Sequence, residues 1–228
     1  MNAANQIVDL LGLRNSPVAV KFDTEPPSGL ARIDHPGPAG CRYWKLAAEG
    51  LTFYTVAEDH YGCPVGSHTH GINLPEDKAK ELESLVGTMV QLQYLSMDEA
   101  AGIPHRDAPF HVAIYAPLSK AHFVPDVVLV SGNARQMMLL AEAAYAAGLL
   151  SEGCVVGRPT CAAIPAVMQS GQTATNLGCI GNRVYTEMAD DELYFAFAGS
   201  QLHLVVDKLN TIVHANGELE KFHLARVS

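Results

Sequence analysis

Apolar residues recur along this chain in two periods, one helical and one extended, and the two alternate from end to end. Ile7, Leu10 and Leu11 fall at helical spacing and predict a helix over Ala4–Leu13, which Asn15-Ser16-Pro17 ends before the run Val18, Ala19, Val20. The proline- and glycine-rich segment Asp23–Pro38 reads as a surface loop. Tyr43, Trp44, Leu46 and Ala47 then place a short helix over Arg42–Glu49, closed by Gly50, and Leu51–Val56 has the β-branched and aromatic content of a strand. Leu74-Pro75-Glu76-Asp77 reads as a helix start, with Ala79, Leu82, Leu85, Val86, Met89 and Val90 as a buried stripe, most simply a structural layer.

Phe110–Ala116 and Asp126–Val130 are apolar runs of strand length, and the second leads through Ser131-Gly132-Asn133 into a helix ending at Ala147. Cys154-Val155-Val156 reads as a buried strand, Glu192–Ala198 as another, and Gln201–Asn210 and Glu218–Ala225 as two closing helices. The expected fold is therefore mixed α/β (α+β), a single compact domain over residues 1–228. Two pseudo-symmetric halves are also expected. Each half has a cysteine near a helix start, then a strand, then a second cysteine in a Gly-Cys turn.

Composition narrows the function. With 48% hydrophobic and 17% charged residues the chain has the mass for a real core. A formal net charge of −9 and the absence of a Lys/Arg run argue against a nucleic-acid partner. No apolar run reaches membrane-span length, and the N-terminus lacks the basic segment of a signal peptide, so a cytoplasmic protein is expected. Thiols stay reduced there, and five cysteines then point to metal binding or catalysis more than to disulfides.

The candidate chemistry rests on Cys41, Cys63, Cys161 and Cys179. Thiolates are soft ligands suited to zinc or an iron-sulfur centre, and three of these four adjoin glycine while two open helices, where backbone N–H groups stabilise a thiolate or an anionic cluster. The spacing matches neither a zinc ribbon nor a ferredoxin run, so small buried cysteines are the bland alternative. The favoured reading is a four-iron four-sulfur cluster held by the four cysteines, used in electron transfer or, with one iron open, on a small molecule. Its rivals are a metal-free thiol enzyme with Cys161 or Cys179 as nucleophile, and a zinc-stabilised or metal-free accessory protein.

Cys154 is left as the spare thiol. His60, His68 and His70 are candidate proton donors to a substrate on an open iron, or else solvated loop histidines. Arg183 either holds an anion or offsets cluster charge, or pairs with Asp191 or Glu192. Gln136 and Lys21 read as surface polar residues, and the turn before Ala134 carries no GxGxxG or GxxxxGK phosphate-binding pattern.

PVAVKF, the GC ahead of AAEG, GCPVGSHTHG, PDVVLVSGNARQMM, GRPTCAAIPAVMQSG and LGCIGNR followed by DDE occur in that order. Together they resemble the uncharacterised ArCR family, a domain of unknown function, over roughly Ser16 to Gly199. The resemblance implies that Cys41, Cys63, Cys161, Cys179, Gln136 and Arg183 lie in family signature blocks. It implies no reaction. Cys154 and the histidines of SHTH match no family position.

Overall fold

A computed structural model describes residues 2–151 and 159–227. Cys154, its expected strand and Gly157 lie outside the described residues.

The elements run α1 (Ala3–Leu11), β1 (Val18–Asp23), α2 (Gly40–Ala48), β2 (Phe53–Val56), α3 (Pro64–Thr69), α4 (Glu76–Gln91), α5 (Met97–Ala101), β3 (Val112–Pro117), β4 (Val127–Asn133), α6 (Ala134–Ala146), α7 (Ala163–Ser170), β5 (Thr173–Asn176), α8 (Ile180–Thr186), β6 (Glu192–Ala198) and α9 (Leu202–Leu224). The strands form one sheet in the order β2-β3-β1-β4-β6-β5, and every pairing is antiparallel. Mixed α/β in a single domain is the fold the sequence predicts.

That order reads the same from either edge. In each half the outer strand pairs with the middle one over four residues, Phe53–Val56 on Val112–Tyr115 and Thr173–Asn176 on Tyr194–Phe197. The two halves meet where β1 pairs with β4. That seam has only three aligned pairs, Val18 with Leu129, Ala19 with Val128 and Val20 with Val127, against six between β1 and β3 and seven between β4 and β6. The halves are thus related by a pseudo-twofold through the centre of the sheet.

Alternation along the strands makes two cores, because successive side chains point to opposite faces. Ala19, Val128, Val130, Phe195 and Phe197 face one way and are covered by α1, α6 and α9 through Ile7, Leu140, Val205 and Leu209. Val18, Val20, Val127, Leu129, Tyr194 and Ala196 face the other way and meet Tyr43, Trp44 and Ala47 of α2 and Ile164 and Val167 of α7.

Two expectations are corrected. In place of two closing helices there is one continuous helix, α9, over Leu202–Leu224, because Thr211–Gly217 holds no proline and the single Gly217 is tolerated within the helix. The apolar stripe of α4 is not a core layer, since no residue of that helix is buried. It faces the cysteines instead.

Candidate functional site

Cys41, Cys63, Cys161 and Cys179 all line one cavity of about 330 Å³ on the α2/α7 side of the sheet. Each half supplies two. Cys41 lies in the first turn of α2, and Cys161 lies in a 3-10 turn, Thr160–Ala162, that runs into α7. The expected Gly-Cys turns are helix N-caps. Cys63 caps α3 and its Sγ accepts the Gly66 N–H at 3.4 Å; Cys179 caps α8 and its Sγ accepts the Asn182 N–H, also at 3.4 Å. A sulfur replaces the usual capping oxygen, so the backbone donors that a cap satisfies are aimed at the cysteine sulfur itself.

Local chemistry fixes these positions. Pro64 follows Cys63 as the first helical residue, where its missing N–H costs nothing. Gly178 has φ +80°, a left-handed turn that presents Cys179, and the backbone N–H of Cys179 donates to Thr160 Oγ1 at 2.6 Å. That bond ties one cysteine-bearing segment of the second half to the other.

Cys41, Cys63 and Cys161 are held in their protonated range. Burial pushes Cys41 up to about 12, with the neighbouring Asn182 amide opposing and Cys63 and Cys179 adding to the rise. Burial also raises Cys63 and carries Cys161 well above the ordinary thiol value, with the other cysteines contributing to both. Cys41 thus senses two of the other sulfurs, Cys161 senses three and Cys63 senses Cys179. Raised thiols are the reverse of what an activated nucleophile requires, so the setting of Cys161 does not favour the thiol-enzyme role. Among the described residues, no group of three or more His, Cys, Asp or Glu is arranged to hold a metal ion.

His68 lines the cavity, stacks on His105 with ring centroids 5.2 Å apart, and has its protonation disfavoured by partial burial and by that neighbour. His60 and His70 do not line it. Both are buried behind the first turn of α2, where a side chain on Gly40 would meet both rings. His60 bonds Thr55 Oγ1 at 2.8 Å, while His60 Nδ1 and both ring nitrogens of His70 have no protein partner. Burial lowers His70 to about 4 and His60 well below 6.5, so both are neutral at pH 7.

Arg183 stands apart from the cavity, and its guanidinium donates to the carbonyls of Leu177, Ala189 and Glu192. The expected partner segment is right, but the backbone rather than a carboxylate receives the charge. Gln136 closes a capping box with Asn133 and donates to the carbonyls of Leu11 and Gly12, and Lys21 pairs with Asp23 at 3.2 Å. All three serve structure.

Two contributors escape sequence reasoning. Asn182, three residues after a cysteine, is the spacing of a cap and gives a faint signal. The α4 stripe is plain in the sequence, but its periodicity does not say what it faces. Leu82, Leu85, Val86 and Met89 form the cavity wall opposite the thiols.

Could these residues hold an iron-sulfur cluster? Four thiolates can serve a single tetrahedral zinc only with sulfurs about 3.8 Å apart, whereas a four-iron cluster keeps them about 6 to 7 Å apart. Four thiols that line one cavity are the donor set such a cluster takes. Amide donors on Cys63 and Cys179 and the dry surroundings also suit an anionic cluster.

No described helix is long and apolar enough to cross a membrane. No solved structure gives a significant match to the chain. An uncharacterized protein of Methanocaldococcus jannaschii is 27% identical over 221 residues, covering 90% of this chain and 91% of that one. The model of the uncharacterised ArCR family matches residues 6–208, a span that contains both halves of the sheet and all four cavity cysteines. The chain belongs to the uncharacterised ArCR family.

Proposed function

We propose that Cys41, Cys63, Cys161 and Cys179 ligate a four-iron four-sulfur cluster and that the protein works in one-electron chemistry. The observation that carries this reading is the meeting of four thiols, two from each pseudo-symmetric half, on one cavity. Burial, with the neighbouring thiols adding to it, keeps Cys41 and Cys161 protonated. Metal coordination reverses that preference, because iron competes with the proton for each sulfur and stabilises the thiolate.

When bound, such a cluster supplies a one-electron couple. Four cysteine ligands leave no iron open, so electron exchange with a redox partner is favoured over substrate ligation at iron. The Gly66 and Asn182 amides, aimed at two of the sulfurs, offset negative charge and raise the potential relative to a site without them. A cytoplasmic setting, which keeps unligated thiols reduced, suits the assembly.

Protein purified or reconstituted without oxygen should be brown and carry about four iron and four sulfide per chain. Serine at any one of the four positions should lower both together. Colourless protein after reconstitution, or a single equivalent of zinc in place of iron, refutes the proposal.

A further inference from the structure

The cavity is broader than ligation requires, and its far wall has an asymmetric origin. Between α8 and β6 the second half needs only residues 187–191, whereas the first half interposes residues 70–111, with α4 and α5, between α3 and β3. This excursion has no counterpart across the pseudo-twofold. It makes little use of the cores: α4 and α5 have no buried residue, and the stripe of α4 turns toward the thiols.

Leu82, Val86 and Met89 form the roof, and Leu95, Ile103 and Tyr185 continue the wall. Among the described residues no Asp, Glu, Lys or Arg lines the space, and His68 has its protonation disfavoured. A charged guest would meet no charged side chain on the lining, which penalises it heavily in an apolar cavity.

We infer that the space between the thiols and α4 binds a small, uncharged, apolar molecule of about the size of one six-membered ring. The size rests on the cluster reading, while the apolar and uncharged character does not. An apolar cavity of about 150 Å³ holds benzene, or about 25 Å³ per heavy atom. On that scale an eight-atom cluster core takes about 200 Å³. Of the 330 Å³ present, about 130 Å³ then remains, close to the roughly 150 Å³ that holds one ring. Bound there, the molecule excludes water from the sulfurs and lies within reach of an electron.

The test uses anaerobically purified full-length protein, with iron and sulfide measured on the same samples. Toluene, benzoate and benzylammonium are titrated and followed by ligand-observed NMR. Toluene should bind saturably at one site and at least tenfold more tightly than either ion. Met89→Trp, which fills the space from a helix with no buried residue, should weaken toluene at least tenfold, as should Val86→Trp, with iron content unchanged in both. Absence of saturable toluene binding, equal binding of benzoate, or indifference to both tryptophans overturns the inference. Protein that stays iron-free after reconstitution yet binds toluene at this site upholds the apolar pocket and refutes the cluster, whereas brown protein that ignores toluene does the reverse.

Discussion

His70 offers a measurement in which a buried ring should write its own signature on the pH dependence of stability. Its side chain is fully buried, tilted against Phe22 at 5.7 Å and beside His60 at 5.6 Å, and the Arg106 guanidinium donates to its backbone carbonyl at 3.0 Å. Burial, reinforced by Arg106, lowers it from 6.5 to about 4. The folded protein therefore keeps the ring neutral where the unfolded chain already binds a proton. The stabilisation is complete above pH 6.5 and drains away as the pH falls through 6.5 toward 4, then levels off once the folded state also binds the proton. The whole gap is worth about 3.4 kcal/mol, of which about 2 kcal/mol is lost by pH 5.

His70→Phe keeps a ring of similar shape and removes two unpaired nitrogens, so it should be neutral or mildly stabilising at pH 7.5. Urea unfolding of both proteins, metal-free and thiol-reduced, at intervals from about pH 7.5 to 5 reads the difference. Wild type should lose about 2 kcal/mol more than the variant across that range. His60, held neutral in the same way, leaves a residual slope in both proteins. Parallel profiles would show that His70 reaches solvent or a proton acceptor, and the argument from burial would fail.

Other substitutions separate the scaffold from the site. Gly199→Ala puts a methyl group 2.0 Å from the Pro125 carbonyl oxygen, a backbone atom that cannot swing aside, and should cost about 3 kcal/mol or more in urea unfolding. Leu209→Ala, fully buried under the sheet, should cost about 2 to 5 kcal/mol. Leu82→Ala on the half-exposed roof should cost less than about 1 kcal/mol, and equal losses at the two leucines would refute the placement of α4 outside the core. Arg183→Ala removes three charged hydrogen bonds to carbonyls and should lower stability by about 2 kcal/mol while leaving iron content intact; loss of iron with stability unchanged would reassign this residue to the site.

The periodic elements are legible in the sequence because burial on a sheet face writes itself as alternation. Val127 and Leu129 against Val128 and Val130 name their two faces outright, and Ile7 with Leu11 does the same for α1. The cysteine positions are legible too, through their glycine and helix-start settings. Three things are not. Strand order depends on pairings across the chain that no local pattern carries, so the twofold is suspected from spacing but visible only in the sheet. An amphipathic stripe says that a helix face is dry, not what dries it, and α4 therefore resembles a core helix until its neighbours are placed. A polar side chain in a glycine-rich segment can be solvated or entombed with equal local composition. The histidines divide on that point, His68 reaching the cavity and His60 and His70 sealed away from it.

The narrow join between β1 and β4 has a mechanical consequence. It is the narrowest pairing in the sheet, and each of the halves it joins supplies two of the cavity's sulfurs. The proposed cluster, bonded to all four, would act as a rivet across that line, and its destruction by oxygen would remove the rivet while leaving each half's own ladders whole. Damage to that cluster would then be felt as gaping of the entire fold, and proteases would clear the oxidised molecule sooner than the intact one.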